Sequence, residues 1–269
     1  MSLPTDLYWK PELPSNWNGV GVWLTLSGAE AASSGLVGVQ FGFNLGVHVG
    51  DDSSQVQARR QALVDLVDAP IVWLDQVHGC SVVLADQLEK VNETVPQADA
   101  SMTTCSAKAL AIMTADCLPA VFAAFDAHKR PIGVAAAHAG WRGLHAGVLQ
   151  AAVEALRHGV DGRCESIECF LGPAIGPLSF EVGEEVRLAF VEQNPQAATH
   201  FQSLTGHAGK HLADLYALAR LALAHSGIER FHGGGQDTFT DSRWFSHRRG
   251  QQTGVPAGRF ATVVRLLPP

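Results

Sequence analysis

The sequence predicts an α/β fold with mixed sheets, in the α+β manner, built as one domain spanning residues 1–269. Three observations predict it. Apolar strand-like runs and amphipathic helical stretches are interspersed, but without a strict strand–helix–strand rhythm. The Gly/Pro-rich pieces are short and punctuate elements instead of linking domains. No internal repeat or low-complexity segment divides the chain. Residues 1–20 read as an N-terminal extension or an edge strand.

In chain order, Gly38–Asn44 reads as a strand entering a glycine-rich turn, Leu45–Gly50. Asp52 or Ser53 then caps a helix that runs to about Val67. Val56, Leu63 and Val67 share one face of that helix, and Arg60 lies on it too. An arginine on an apolar stripe either snorkels, pairs with a buried acid, or holds an anionic ligand. Ile71–Leu74 and Ser81–Leu84 read as strands bracketing Gln76–Gly79, and Ala109–Met113 as a strand running into Thr114–Pro119. Ala120–Phe125 and Ile132–Ala137 form a hairpin around Asp126–Pro131. After Ala137 comes His-Ala-Gly-Trp-Arg-Gly, then a helix to about Arg157. Ile167–Leu171 is a strand that stops at Gly172–Pro177. Glu184–Gln193 and His211–Ser226 are helices, and Arg259–Leu267 is the closing strand.

Composition narrows the function. The chain has 269 residues, 46% of them hydrophobic and 17% charged, enough for a core that needs no metal or disulfide staple. A net charge of −7, with no Lys/Arg run longer than two, argues against nucleic acid as a partner. No secretory leader pattern and no membrane-length apolar run is visible. The five cysteines are odd in number and form no CxxC pair, so reduced thiols in the cytoplasm are expected. A small-molecule substrate is the expected partner; the sequence is silent on oligomeric state.

Three segments place a soft ligand just after an apolar strand: Gln-Val-His-Gly (His78), Thr-Ala-Asp-Cys-Leu-Pro (Cys117) and Ala-His-Ala-Gly-Trp-Arg-Gly (His138). Imidazole and thiolate suit zinc or copper, and three protein ligands with one open position is the pattern of a catalytic zinc. The opposing reading is that twelve histidines make such placements common and that buried cysteines are mostly inert. Gly140 and Gly143 open the next helix beside Arg142, an arrangement suited either to an anion or to a tight strand-to-helix turn. Gly172–Pro177 reads as turn chemistry, with Glu181 nearby as an acid or base. Walker, GxSxG, HExxH, Rossmann and zinc-deaminase signatures are absent.

Taken together and in order, Asn44–Asp52, the three ligand segments, Gly172–Pro177 with Phe180–Gly183, and Phe245–Arg249 with Gly258–Ala261 resemble the YfiH-type laccase-domain family. That family is also called purine nucleoside phosphorylase/polyphenol oxidase proteins or peptidoglycan-editing factors. The resemblance runs from about Phe41 to the C-terminus. It implies a layered α/β/β/α single domain and zinc held by His78, Cys117 and His138. It implies phosphorolysis of adenosine, inosine and methylthioadenosine and deamination of adenosine, with copper-dependent phenol oxidation as an older assignment. Asn44, His48, Arg60, Gln76 and Arg142 fall on matching positions as substrate contacts, and Cys117, Asp116 and Glu181 as candidates for the chemistry. Three positions depart from the pattern: His247 where the family often has tyrosine, Asp237 where many members have cysteine, and Ala219 where many have asparagine. A metal-free hydrolase with Cys117 as nucleophile and His138 as base, acting on peptidoglycan precursors, is an alternative, as is a non-enzymatic binding role.

Overall fold

The computed structural model describes residues 3–28, 35–38, 40–91, 93–228 and 230–269. In chain order its elements are β1 (Tyr8–Trp9), β2 (Val20–Thr25), α1 (Ser53–Val67), β3 (Ile71–Val72), β4 (Val82–Leu84), β5 (Ala100–Thr103), β6 (Ala109–Thr114), β7 (Leu118–Phe125) and β8 (Pro131–Ala139). There follow α2 (Trp141–Ala146), α3 (Val148–Gly159), β9 (Ser166–Leu171), β10 (Glu181–Gly183), α4 (Glu184–Gln193), β11 (Phe201–Ser203), β12 (Lys210–Ala213), α5 (Leu215–Leu223), β13 (Phe231–Gly233), α6 (His247–Thr253) and β14 (Phe260–Leu266).

The strands form two large sheets, ordered β1-β2-β14-β6-β3 and β13-β9-β7-β8-β5-β4, and a small one, β10-β12-β11. Both large sheets mix parallel and antiparallel pairs. Side-chain alternation explains the layering. On β7, Val121, Ala123 and Phe125 face a core shared with Leu110, Ile112, Phe260 and Val264 of the other sheet. Ala120, Phe122 and Ala124 face the opposite way, onto α3 residues such as Val148, Leu149, Val153 and Leu156. The second sheet repeats the device: Ala109, Ala111 and Val263 turn outward onto Ala62, Leu63 and Val67 of α1. A strand buried on both faces reads as an unbroken apolar run, which is why β7 and β8 were visible without alternation. The result is the α/β/β/α sandwich the resemblance implied, with Tyr8–Trp9 pairing as its edge strand.

Several expected elements differ. Gly38–Asn44 is not a strand: Gly38 and Gly42 pair as an isolated bridge that closes a tight turn, and Val39 lies outside the described residues. The helix after Gly140 breaks at Gly147, whose φ of +92° stops α2 and starts α3. The helix expected from His211 begins at Leu215, capped by the Asp214 carboxylate accepting from the Ala217 amide at 2.9 Å; Lys210–Ala213 is strand. Glu184–Gln193 and the Asp52-capped α1 form as expected. On α1, the fully buried arginine is Arg59, ion-paired to Asp51 at 2.5 Å, while Arg60 is half-buried. Among the described residues, no helix is long and apolar enough to cross a membrane.

Candidate metal centre

Sheet geometry brings the three soft ligands together. Cys117 immediately precedes β7, and His138 lies at the end of β8, paired in register with Pro119. His78 arrives on the loop between β3 and β4 with its backbone in the left-handed region, φ +62°. The ligand atoms of His78, Cys117 and His138 lie within 4.8 Å of one another, and Cys117 Sγ is 3.8 Å from His78 Nε2. Metal bonds of about 2.0–2.1 Å to nitrogen and about 2.3 Å to sulfur fit a group of this size. His78 is exposed, Cys117 half-buried and His138 buried, so any ion held here has one face toward solvent.

Asp99, which the sequence did not single out, organises the group. Its carboxylate accepts the backbone amides of Val77, His78 and Gly79 at 3.1, 2.9 and 2.7 Å. It also bonds His138 Nδ1 at 2.8 Å, which leaves Nε2 as that ring's ligand atom. Burial by itself would push the Cys117 thiol up, but the His138 and His78 imidazoles outweigh it and bring the thiol down to about 6. Burial would lower His138, but the Cys117 thiolate and Asp99 raise it to about 9. A thiolate beside an oriented imidazole is the donor set that zinc or copper binds. Gly140 is part of the fit: a Cβ there would stand 2.8 Å from His78 Cδ2 and 2.9 Å from Cys117 Sγ.

A cavity of about 630 Å3 opens on one side of the trio, walled by His48, Arg60, Trp73, Asp75, Gln76 and Arg259. Arg60 stacks over Trp73 at 4.1 Å and donates to the Leu45 carbonyl at 3.0 Å. Burial lowers Arg60 to about 10, still cationic at neutral pH. Arg259, another residue missed in the sequence, donates only to the Ala257 and Gly258 carbonyls, at 2.9 and 3.1 Å. Neither arginine has an ion pair with a carboxylate among the described residues. His48 is held below its ordinary value by burial and by the Arg259 and Arg60 charges, so it stands neutral near pH 7.

The other expected site residues divide. Gln76 lines the cavity, but its amide is spent on the Met113 backbone, with two bonds of 2.8 Å. Asn44 does not reach the cavity: it is fully buried and ties Gly46, Asp51 and the Arg259 amide together, so it supports the wall. Asp116 sits beside Cys117 with φ +89°, its two oxygens accepting from the Thr238 hydroxyl and the Arg248 amide at 2.7 Å each. Arg142 is exposed and lies over the Trp141 ring at 4.4 Å, lining a second, smaller hollow and not the cavity of Arg60. α2 is six residues long, so its start offers little helix dipole for the anion role considered for Arg142 and the glycines. Glu181 is not brought to the trio: its side chain is exposed and faces Lys210 at 3.8 Å. Of the departures, Asp237 fixes the Gly176–Ser179 turn by accepting from the Gly176 amide and the Ser179 hydroxyl, and Ala219 is core. Only His247 reaches the centre, lining both hollows that adjoin it.

Fold and site define a two-sheet sandwich with a candidate His–Cys–His metal centre at its strand ends. The chain belongs to the family described as multi-copper polyphenol oxidoreductase laccase, which matches residues 31–267. It is 46% identical over 224 residues to purine nucleoside phosphorylase PA4543 of Pseudomonas aeruginosa, covering 83% of this chain and 85% of that one. It is 41% identical over 227 residues to purine nucleoside phosphorylase YfiH of Escherichia coli, covering 83% and 86%. Among solved structures it resembles protein NMB0706 of Neisseria meningitidis, with TM-score 0.82, 36% identity and coverage of 97% and 100%. YlmD of Geobacillus stearothermophilus superposes with TM-score 0.79, 26% identity and coverage of 98% and 100%.

Proposed function

We infer that this chain is a zinc-dependent purine nucleoside phosphorylase acting on adenosine, inosine and methylthioadenosine. The observation that carries this reading is the pair Arg60 and Arg259, which lack carboxylate partners and wall the cavity that opens onto the trio. Guanidinium groups with no carboxylate in direct contact, beside a reactive centre, suit a phosphate, with planar donors for its oxygens. The names of the relatives above agree with a small-molecule enzyme of this type.

In this reading His78, Cys117 and His138 hold the zinc, which supplies Lewis acidity beside the substrate when bound. Arg60 and Arg259 hold hydrogen phosphate against the ribose, and neutral His48 adds a hydrogen bond. A phosphate oxygen bonds to C1′ as the C1′–N9 bond breaks. The bonding pair leaves with the purine, and the proton brought by hydrogen phosphate ends on the purine. Asp99 keeps His138 oriented throughout. Asp116, already accepting two donors, positions the Cys117 turn; Glu181 takes no part. Deamination of adenosine would need a water at C6 in place of phosphate at C1′, and the arginine pair gives that reaction no advantage.

The family description names a copper oxidase, but among the described residues this trio is the one cluster of His, Cys and acidic groups close enough to hold an ion. A multi-copper electron relay requires more. The lowered Cys117 thiol would also suit a metal-free nucleophile. The deciding assay incubates metal-quantified protein with adenosine, with and without phosphate. The expected products are adenine and ribose 1-phosphate, formed only with phosphate. Inosine formed without phosphate, or no turnover by zinc-replete protein, would overturn the reading. Arg259→Ala should raise the phosphate KM by roughly 10- to 100-fold, the loss of one charge-assisted bond.

A further inference from the structure

The cavity walled by Arg60 and Arg259 also holds a carboxylate, that of Asp75. Its backbone is fixed on both sides. The Asp75 amide donates to the Pro96 carbonyl at 2.9 Å, and the Asp75 carbonyl accepts from the Ala98 amide at 3.1 Å. The side chain is exposed, and its hydrogen bond among the described residues is a long one, from Gln97 Nε2 at 3.4 Å. Other acids near the centre are spent. Asp99 serves three amides and His138, Asp116 serves Thr238 and Arg248, and Asp51 serves Arg59 and Asn44. Asp75 therefore keeps most of its capacity to accept. At His48, which burial and the Arg259 and Arg60 charges lower, Asp75 pulls the other way, so its field reaches into the cavity. A carboxylate beside a phosphate weakens the hold on that anion. Its place in this wall calls for a ligand group that donates.

Resting on the phosphorylase reading above, we propose that Asp75 makes the enzyme selective for ribonucleosides over deoxyribonucleosides, its carboxylate accepting the 2′- and 3′-hydroxyls. Stereochemistry puts those hydroxyls in this cavity. In a β-nucleoside the base stands on one face of the ribose ring and both hydroxyls on the other. Displacement at C1′ from the side opposite the base brings phosphate in on the hydroxyl face. The cavity that holds the phosphate therefore also meets the diol. Its volume of about 630 Å3 leaves room for the sugar beside the anion. Two vicinal hydroxyls present two donors to the two oxygens of one carboxylate, the chemistry by which an acidic side chain holds a ribose hydroxyl in dinucleotide-binding folds. A 2′-deoxynucleoside brings one of the two donors. A 2′,3′-dideoxynucleoside brings neither and leaves the carboxylate facing bare ring carbon.

The test uses full-length, zinc-quantified protein and two variants, Asp75→Ala and Asp75→Asn. Asp75 is exposed, so neither variant disturbs the core; thermal unfolding and zinc content verify both. Each protein is titrated by calorimetry with adenosine, 2′-deoxyadenosine and 2′,3′-dideoxyadenosine. The parent should bind adenosine about 10- to 100-fold more tightly than the dideoxynucleoside, with 2′-deoxyadenosine between them. Asp75→Ala should erase that preference by weakening adenosine, while the dideoxynucleoside Kd moves by no more than about threefold. Asp75→Asn, which keeps one acceptor, should fall between parent and Asp75→Ala. The adenosine KM should rise in step with its Kd. A parent that binds the three nucleosides alike, or none of them, would overturn the proposal. So would a loss in Asp75→Ala that is equal for all three, or a fall in phosphate KM with every nucleoside affinity unchanged, which would mark a carboxylate acting on the anion alone. If the parent shows no phosphate-dependent cleavage, the reaction reading fails on its own. Calorimetry still decides the role of Asp75: a diol preference lost in Asp75→Ala upholds it, and a preference retained overturns it.

Discussion

Asp99 bears more of the centre than any residue that points at a ligand. One carboxylate holds three consecutive amides of the His78 loop and the His138 ring. Asp99→Asn should lower zinc affinity roughly 10- to 100-fold, the usual effect of losing a carboxylate partner of a ligating histidine, measured by competition with a chromogenic chelator. Gly140→Ala should do worse with the fold intact. Its φ of −65° is open to any residue, but the added methyl meets both His78 and Cys117. Metal-free protein also has a proton signature. With the thiol at about 6 and His138 at about 9, the pair at pH 7.5 is a thiolate and an imidazolium. Zinc must therefore expel the His138 proton, so affinity should fall as pH drops below about 9, and more steeply below about 6, where the thiolate is lost too. Calorimetry in buffers of different ionisation enthalpy reads that proton directly.

The legible elements were those whose own residues announced them. Asp52 and Asp214 are capping residues by type, and both accept an amide at the expected spacing. Asp52 was read correctly. Asp214 was overridden, because the apolar periodicity of α5 continues backward through His211–Ala213 as if helical. β5 (Ala100–Thr103) was missed because its small and polar residues carry no hydropathic signal; its partners β4 and β8 make it a strand. β2 (Val20–Thr25), buried along its whole length, starts where the 1–20 extension or edge strand ends, and no expected element covers it. The His–Cys–His trio is legible through the family motifs that carry it, since with twelve histidines the residue types alone leave a chance placement open. Asp99 and Arg259 could not, since a lone acid or arginine gains meaning only from what the fold places beside it. The break between α2 and α3 is a purely conformational case. The space around Gly147 is nearly open, with Gln150 Oε1 at 3.7 Å, so Gly147→Ala should cost about 1–2 kcal/mol from the left-handed backbone alone, read by chemical denaturation.

Across the whole molecule, the sandwich holds Cys117 and His138 on one sheet and His78 on the loop that crosses from the other, so anything that keeps the sheets in register keeps the centre assembled. Glu168 on β9 is one such tie. It is buried and accepts from Asn16, Trp17, Arg230 and His232, joining the N-terminal segment to β13. Burial would raise its carboxyl, but these donors outweigh it and hold the group below its ordinary value. A depressed carboxyl contributes stability that is present above the unfolded value of 4.5 and lost as pH falls through the folded one. Glu168→Gln should therefore be less stable than the parent at pH 7 by about 2 kcal/mol, with the gap closing below pH 4.5, measured as unfolding free energy against pH. Zinc at the trio is what everything above depends on. Crystals of protein purified without added metal, measured on both sides of the zinc absorption edge, test it most directly. One anomalous peak per chain is expected, bonded to His78, Cys117 and His138. Full-length protein with no peak there, or with its zinc bound elsewhere, would contradict it.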